Sequence, residues 1–190
     1  MITVQVYDHG TRVPALFRGP GIQPGLQIDG VIGMVDIAPT ILELAGGTVP
    51  PEMDGGSFAP LLLGQPTTRR DFTLIEYESI QNAPGQTNEA MGARAATDST
   101  NNTFRAIRWI NASAVPPIDL LYAEFTNVLD PAGWHFEPAA VNYHELYHIR
   151  EDYFMLENLY TAATDEVKTA LHEKLQRGFN CQGRAECDAA

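Results

Sequence analysis

The hydrophobic period of this 190-residue chain changes at Thr67-Thr68-Arg69-Arg70, and that change most constrains the fold. Before it, apolar residues recur at helical spacing; after it, they fall into short strand-like runs. Residues 13–18, Val-Pro-Ala-Leu-Phe-Arg, read as a buried strand closed by the turn Gly19-Pro20-Gly21. A helix follows, with Asp36 as cap, Pro39 in the first turn and a stripe of Ile37, Ile41, Leu44 and Ala45 that ends at Gly46-Gly47. A short apolar helix is predicted around Phe58–Leu63. One strand and two helices do not complete an α/β sandwich, because a lone strand has no partners for its backbone groups. Residues 1–66 therefore read as the edge of a larger α/β unit.

The second half reads differently. Strands are predicted at Phe72–Tyr77, Thr103–Ile110, Asp119–Thr126 and Glu145–Ile149, with a polar loop over 81–102. A closing helix has Thr164 as cap, Asp165 and Glu166 in its first turn, Lys174 and Arg177 in its last, and Gly178 as its stop. Its predicted apolar face is Val167, Ala170, Leu171 and Leu175. Residues 67–190 thus form a small antiparallel sheet with a covering helix, and the fold class is α/β.

Charge narrows the function. Twelve basic residues against 24 acidic ones give a net charge of -12, which repels a phosphate backbone, so no nucleic-acid partner is expected. No apolar run approaches the ~18–20 residues of a membrane span. Cys181 and Cys187 close a small loop as a disulfide in an oxidising compartment, or remain two thiols in a reducing one. Asn101-Asn102-Thr103 and Asn111-Ala112-Ser113 are glycosylation sequons, in keeping with a secretory location. The first residues carry neither a basic n-region nor a long apolar run, so no signal peptide is read there.

Chemistry-bearing patterns are few. His144-Glu145-Leu146-Tyr147-His148 fits H-E-x-x-H, which binds zinc when a helix brings both imidazoles to one face. On a strand the two would lie about 13 Å apart, too far to share one ion, so solvated or paired histidines are the expectation. His9 and Arg12 could bind an anion, or Arg12 could close a salt bridge. Asp36 could serve as a helix cap or as a catalytic acid. There is no G-x-S-x-G elbow, P-loop, G-x-G-x-x-G or calcium-loop spacing.

The ordered set of short motifs carries more information than any one of them. Tyr7-Asp8-His9-Gly10-Thr11-Arg12-Val13-Pro14 is followed by Arg18-Gly19-Pro20-Gly21-Ile22, then by Val35–Gly46, then by Met53–Phe58 with Pro60-Leu61-Leu62. Glu145–Ile149 and Glu157-Asn158-Leu159 come later. In order and spacing this string resembles the C-terminal portion of the sulfatase family over residues 7–160. The arrangement of Cys181 and Cys187 is similar to that of sulfatases acting on N-acetylglucosamine 6-sulfate. The resemblance implies an alkaline-phosphatase-like α/β fold with a small C-terminal antiparallel subdomain, divided here as 1–66 and 67–190. It also puts Glu145–Ile149 on a strand.

The resemblance further implies hydrolysis of sulfate esters, with calcium and a formylglycine made from Cys or Ser in a Cys/Ser-x-Pro-x-Arg motif. Neither cysteine starts that motif, and the family's metal carboxylates lie upstream of residue 1. Thr3 stands where the family places a sulfate-contacting lysine. The expectations are therefore no catalytic residue, no metal and no cofactor held by this chain, and no activity of the chain alone. Asp8 and His9 match positions beside the family's substrate pocket. The substrate is expected to be a sulfated small molecule or glycan, in a secreted or lysosomal setting. A non-catalytic, sulfatase-derived interaction module is the alternative.

Overall fold

In the computed structural model, which describes residues 5–67, 69–78, 103–126 and 136–190, the strand-like runs of the second half form one sheet. Strands β1 (Phe72–Tyr77), β2 (Thr103–Asn111), β3 (Ile118–Thr126) and β4 (Val141–His148) lie in the order β1-β2-β3-β4. β3 and β4 are antiparallel, with Leu121 opposite Tyr147 and Ala123 opposite Glu145, and the register shifts between Phe125 and Thr126. β4 begins four residues earlier than the predicted Glu145, after a short turn at Pro138–Ala140. The predicted loop 81–102 lies outside the described residues.

The helices are α1 (Asp8–Thr11), α2 (Ile37–Leu44), α3 (Ala59–Leu62), α4 (Asp165–Asn180) and α5 (Arg184–Ala189). Thr164 caps α4 by accepting from the Val167 N–H at 3.4 Å. The helix does not stop at Gly178 but runs two residues beyond it. Gly178 is there for packing: a Cβ would lie 2.9 Å from Leu74 Cδ2 and 3.2 Å from Phe72 Cε2. Leu171 and Leu175 share this buried face, whereas the predicted Val167 and Ala170 are exposed. The face that packs on the β1 side chains is therefore set by residues 171, 175 and 178.

One expectation for the first half is overturned, and the facing of α2 is new. Residues 13–18 are not a buried strand: the segment has no regular structure, and Leu16 is 95% exposed. A buried strand needs neighbours for its N–H and C=O groups, and none of the four described strands pairs with it. In α2 the residues turned inward are Pro39 and Thr40, while Ile41, Leu44 and Ala45 face outward. Thr40 is held by polar bonds, its hydroxyl donating to the Asp36 carbonyl at 2.6 Å and accepting from the Phe58 N–H at 3.0 Å.

Packing divides the chain into two units. The first comprises Met1–Val13, Ile75–Ile107 and Leu120–Ala163. Its core is Val6, Phe104, Ala106, Leu121, Ala123, Tyr147, Ile149 and Met155. The second comprises Pro14–Leu74, Arg108–Asp119 and Thr164–Ala190. In it Lys174 lies 3.7 Å from Asp71 and over the rings of Phe72 and Trp109, and burial holds its ammonium below the usual lysine range.

Candidate functional site

Asp8 and His9 sit on a single helical turn. Tyr7 is extended, and its carbonyl accepts from the backbone N–H groups of Gly10 and Thr11 and from the Thr11 hydroxyl. The turn sends its first two side chains to different surroundings: Asp8 is buried and His9 is exposed. Below the turn, the Tyr7 hydroxyl donates to Glu145 Oε1 at 3.3 Å, and its ring meets Tyr147 edge-on at 6.1 Å. Glu145 is buried on the core face of β4, and burial raises its carboxyl above the usual range. The same desolvation, together with the Glu145 charge, raises the Tyr7 and Tyr147 phenols.

Above the turn, His9 meets a second loop. Its imidazole lies nearly parallel to the Phe154 ring, with centroids 6.2 Å apart and planes at 17°, and edge-on to Tyr153 at 6.0 Å. That loop is braced by the Asp152 carboxylate, which accepts from the Glu157 N–H at 2.8 Å, and by the Met155 N–H, which donates to the Asp152 carbonyl. The Asp8–His9 turn is thus fixed from the sheet by Tyr7 and touches aromatic residues that follow β4. Arg12, the other proposed anion ligand, ends the turn and is exposed; Thr3 lies outside the described residues.

The H-E-x-x-H pattern is on β4, as the strand reading requires. His144 and His148 stand opposite Glu124 and Leu120, and Glu145 points to the other face of the sheet. His144 is stacked on Tyr160 at 4.3 Å with planes 3° apart. Two histidines on one face and the glutamate on the other cannot share a zinc-bound water. Among the described residues no three His, Cys, Asp or Glu side chains converge as a metal site. Cys181 and Cys187 are bonded to each other, so neither offers a thiol for conversion to formylglycine. The described residues do not fit calcium or formylglycine. Asn111 donates its amide N–H to Asp71 at 2.9 Å, and Asn101 lies outside the described residues.

Sequence reasoning named Asp36 but missed the donors that converge on its carboxylate. Asp36 stands at the N-cap position of α2, but its carboxylate does not cap that helix. It is fully buried and accepts four donors: the Gly33 N–H at 2.8 Å, the Gly56 N–H at 2.9 Å, Arg69 at 2.9 Å and Arg70 at 2.7 Å. Asp36 therefore does not cap α2; its bond to the Gly33 N–H instead closes the start of the short turn Met34–Asp36. The adjacent arginines Arg69 and Arg70 at the period change were the available signal. The contacts of Tyr153 and Phe154 with His9 had no counterpart in spacing, since 144 residues separate His9 from Tyr153.

A small antiparallel sheet with a packed terminal helix, joined to helical segments around a buried carboxylate, is the C-terminal part of a sulfatase-type α/β fold. Two solved structures share it: a Bacteroides thetaiotaomicron protein assigned to the sulfatases and a phosphonate monoester hydrolase from Silicibacter pomeroyi. The first is 21% identical with a TM-score of 0.55, over 94% of this chain and 32% of that one. The second is 20% identical with a TM-score of 0.54, over 87% of this chain and 28% of that one. Residues 4–108 match the family model "N-sulphoglucosamine sulphohydrolase, C-terminal", and the chain belongs to the sulfatase family as a C-terminal portion. The goat (Capra hircus) N-acetylglucosamine-6-sulfatase is 28% identical over 190 residues, covering 94% of this chain and 31% of the relative. The human N-acetylglucosamine-6-sulfatase is 32% identical over 132 residues, covering 64% of this chain and 23% of the relative. The human arylsulfatase K is 43% identical over 58 residues, covering 30% of this chain and 11% of the relative. The chain spans less than a third of the length of these relatives. No described helix is long and apolar enough to cross a membrane.

Proposed function

We propose that this chain is the C-terminal part of a sulfuric ester hydrolase acting on sulfated amino sugars such as N-acetylglucosamine 6-sulfate. Residues 1–66 supply the edge of its α/β domain and residues 67–190 its antiparallel subdomain. Asp8 and His9 face the substrate, with no catalytic nucleophile and no metal ligand from this chain. The observation that carries this reading is the match to N-acetylglucosamine-6-sulfatase along 94% of the chain, with the Asp8–His9 turn fixed on β4 through Tyr7 and Glu145. The chain alone does not turn over sulfate esters, because formylglycine and calcium come from the rest of such an enzyme. The disulfide and the two sequons support a secretory or lysosomal setting. A glycan on Asn111 leaves one amide hydrogen for the bond to Asp71.

A chimera tests the proposal: the goat enzyme with its C-terminal third replaced by this chain, assayed on N-acetylglucosamine 6-sulfate. Calcium-dependent turnover is the expected result. A secreted, folded chimera with no turnover, while the parent enzyme remains active, sinks it. The interaction-module alternative is favoured by one observation, the outward-facing apolar residues Val13, Leu16, Met34 and Ile41. It takes over if the chain forms a stable complex with another protein and the chimera stays inactive.

A further inference from the structure

The Asn111-Ala112-Ser113 sequon plays no part in ester hydrolysis, and the fold gives it specific surroundings. Asn111 is the last residue of β2 and opens the turn to β3. Its side-chain oxygen accepts from the Ser113 N–H at 3.1 Å and from the Ala114 N–H at 3.0 Å, so the carboxamide is fixed by the turn that it starts. With the oxygen held on the backbone, the amide nitrogen donates to Asp71 Oδ2 at 2.9 Å. An amide nitrogen carries two hydrogens, so one remains after that bond. Asn111 is half-buried, and Ala112 and Ser113 beside it are exposed. The same turn carries an uncharged run. Val115, Pro116 and Pro117 are all exposed, Val115 at 98%, and no charged residue lies between Asn111 and Ile118. A run of exposed apolar residues favours association unless something bulky and hydrophilic covers it.

We propose that Asn111 carries an N-linked glycan and that this glycan covers the Val115–Pro117 turn. This rests on the secretory setting proposed above and adds to it the acceptor and the role of the modification. The donor is a lipid-linked oligosaccharide diphosphate. Asn111 Nδ2 forms a bond to the anomeric carbon of the first sugar while the bond from that carbon to the diphosphate oxygen breaks. The diphosphate leaves with the electron pair, and one amide proton passes to base. The second amide hydrogen stays on the nitrogen and keeps the bond to Asp71, whose other oxygen lies 3.7 Å from Lys174. The folded turn thus accommodates the product without giving up its anchor. Two features select the glycan as the cover: it is attached within the same β2–β3 connection, and it is bulky and solubilising where the turn supplies no charge.

The experiment translates the full 190-residue chain behind a cleavable signal peptide in the presence of microsomes. In an Asn101→Gln background, the expected result is a gain in mass of one glycan, removed by peptide-N-glycosidase with conversion of Asn111 to aspartate. Ser113→Ala abolishes the gain and Ser113→Thr retains it. Ser113→Ala leaves the Asn111 bonds in place, because they use the Ser113 backbone N–H. No gain in mass, or a gain that survives Ser113→Ala, overturns the proposal. The cover is tested on the folded chain purified from cells that make only high-mannose glycans. Trimming the glycan to a single sugar with endoglycosidase H should raise self-association in sedimentation, and Val115→Ser should prevent that rise. Association unaltered by trimming, or a rise that Val115→Ser does not prevent, overturns the covering role. Modification is read apart from turnover. A glycosylated Asn111 with an inactive chimera refutes the hydrolase reading alone, and an unmodified Asn111 with an active chimera refutes this site alone.

Discussion

Replacing Asp36 by alanine removes a carboxylate that ties α2 to the Gly56 turn and to Arg69 and Arg70. Four donors converge on it, at 2.7 to 2.9 Å, and two of them belong to guanidinium groups that are themselves buried. The variant leaves Arg69 without a carboxylate, because its only other described contact is with the face of Phe58 at 5.4 Å. Arg70 keeps weaker recourse to the Phe72 carbonyl at 3.2 Å, the Asp54 carbonyl at 3.4 Å and Asp188 at 4.0 Å. Each bond to a charged group is worth about 1.5–3 kcal/mol when broken one-sidedly, and stranding a buried charge costs about 3–5 kcal/mol in total. A loss of about 4 kcal/mol is expected for Asp36→Ala, against a whole-domain stability of about 5–15 kcal/mol. Urea denaturation should show the midpoint falling by about 2 M at an ordinary m-value. Arg69→Met leaves the carboxylate with Arg70 and two backbone N–H groups, so it should cost only about 2 kcal/mol. The reasoning is refuted if Asp36→Ala lies within about 1 kcal/mol of the wild type, or if Arg69→Met costs as much as Asp36→Ala.

Gly55→Ala should destabilise by about 3 kcal/mol, because a Cβ there would overlap the Val35 backbone carbonyl, which cannot rotate away; an unchanged melting temperature would show that the two segments are not packed this closely. Glu145→Gln should change the pH dependence of stability. The folded-state carboxyl of Glu145 is raised by burial, so the stability it contributes is full below the ordinary carboxylate range. It is lost as pH rises through the raised value. Melting curves of wild type and variant should therefore converge in acid and separate above that window with the wild type lower; parallel profiles would contradict the burial argument.

The sheet was legible because each strand carries its own period: the prediction for β1 agrees residue for residue, and those for β2 and β3 agree to within a residue. For Ile41 and Leu44, helical spacing shows that a stripe exists, not which way it turns. Here Pro39 and Thr40 take the inside, Thr40 bound by hydroxyl bonds that periodicity does not register. Val13–Arg18 fails for a related reason, since apolar content marks a segment that wants cover and pairing decides whether it becomes a strand. Asp36 was recognised as important from its place before a helix, but its partners lie 33 and 34 residues away. His9 was legible through family motif order alone.

A sulfated substrate brings charge that must be offset, and the charge of this chain limits what it can contribute. A sulfate group needs fixed positive charge in a dry setting to offset its oxygens. The acidic balance of this chain does not provide that at long range, and its buried guanidinium pair at Arg69 and Arg70 is already engaged by Asp36, with Asp188 4.0 Å from Arg70.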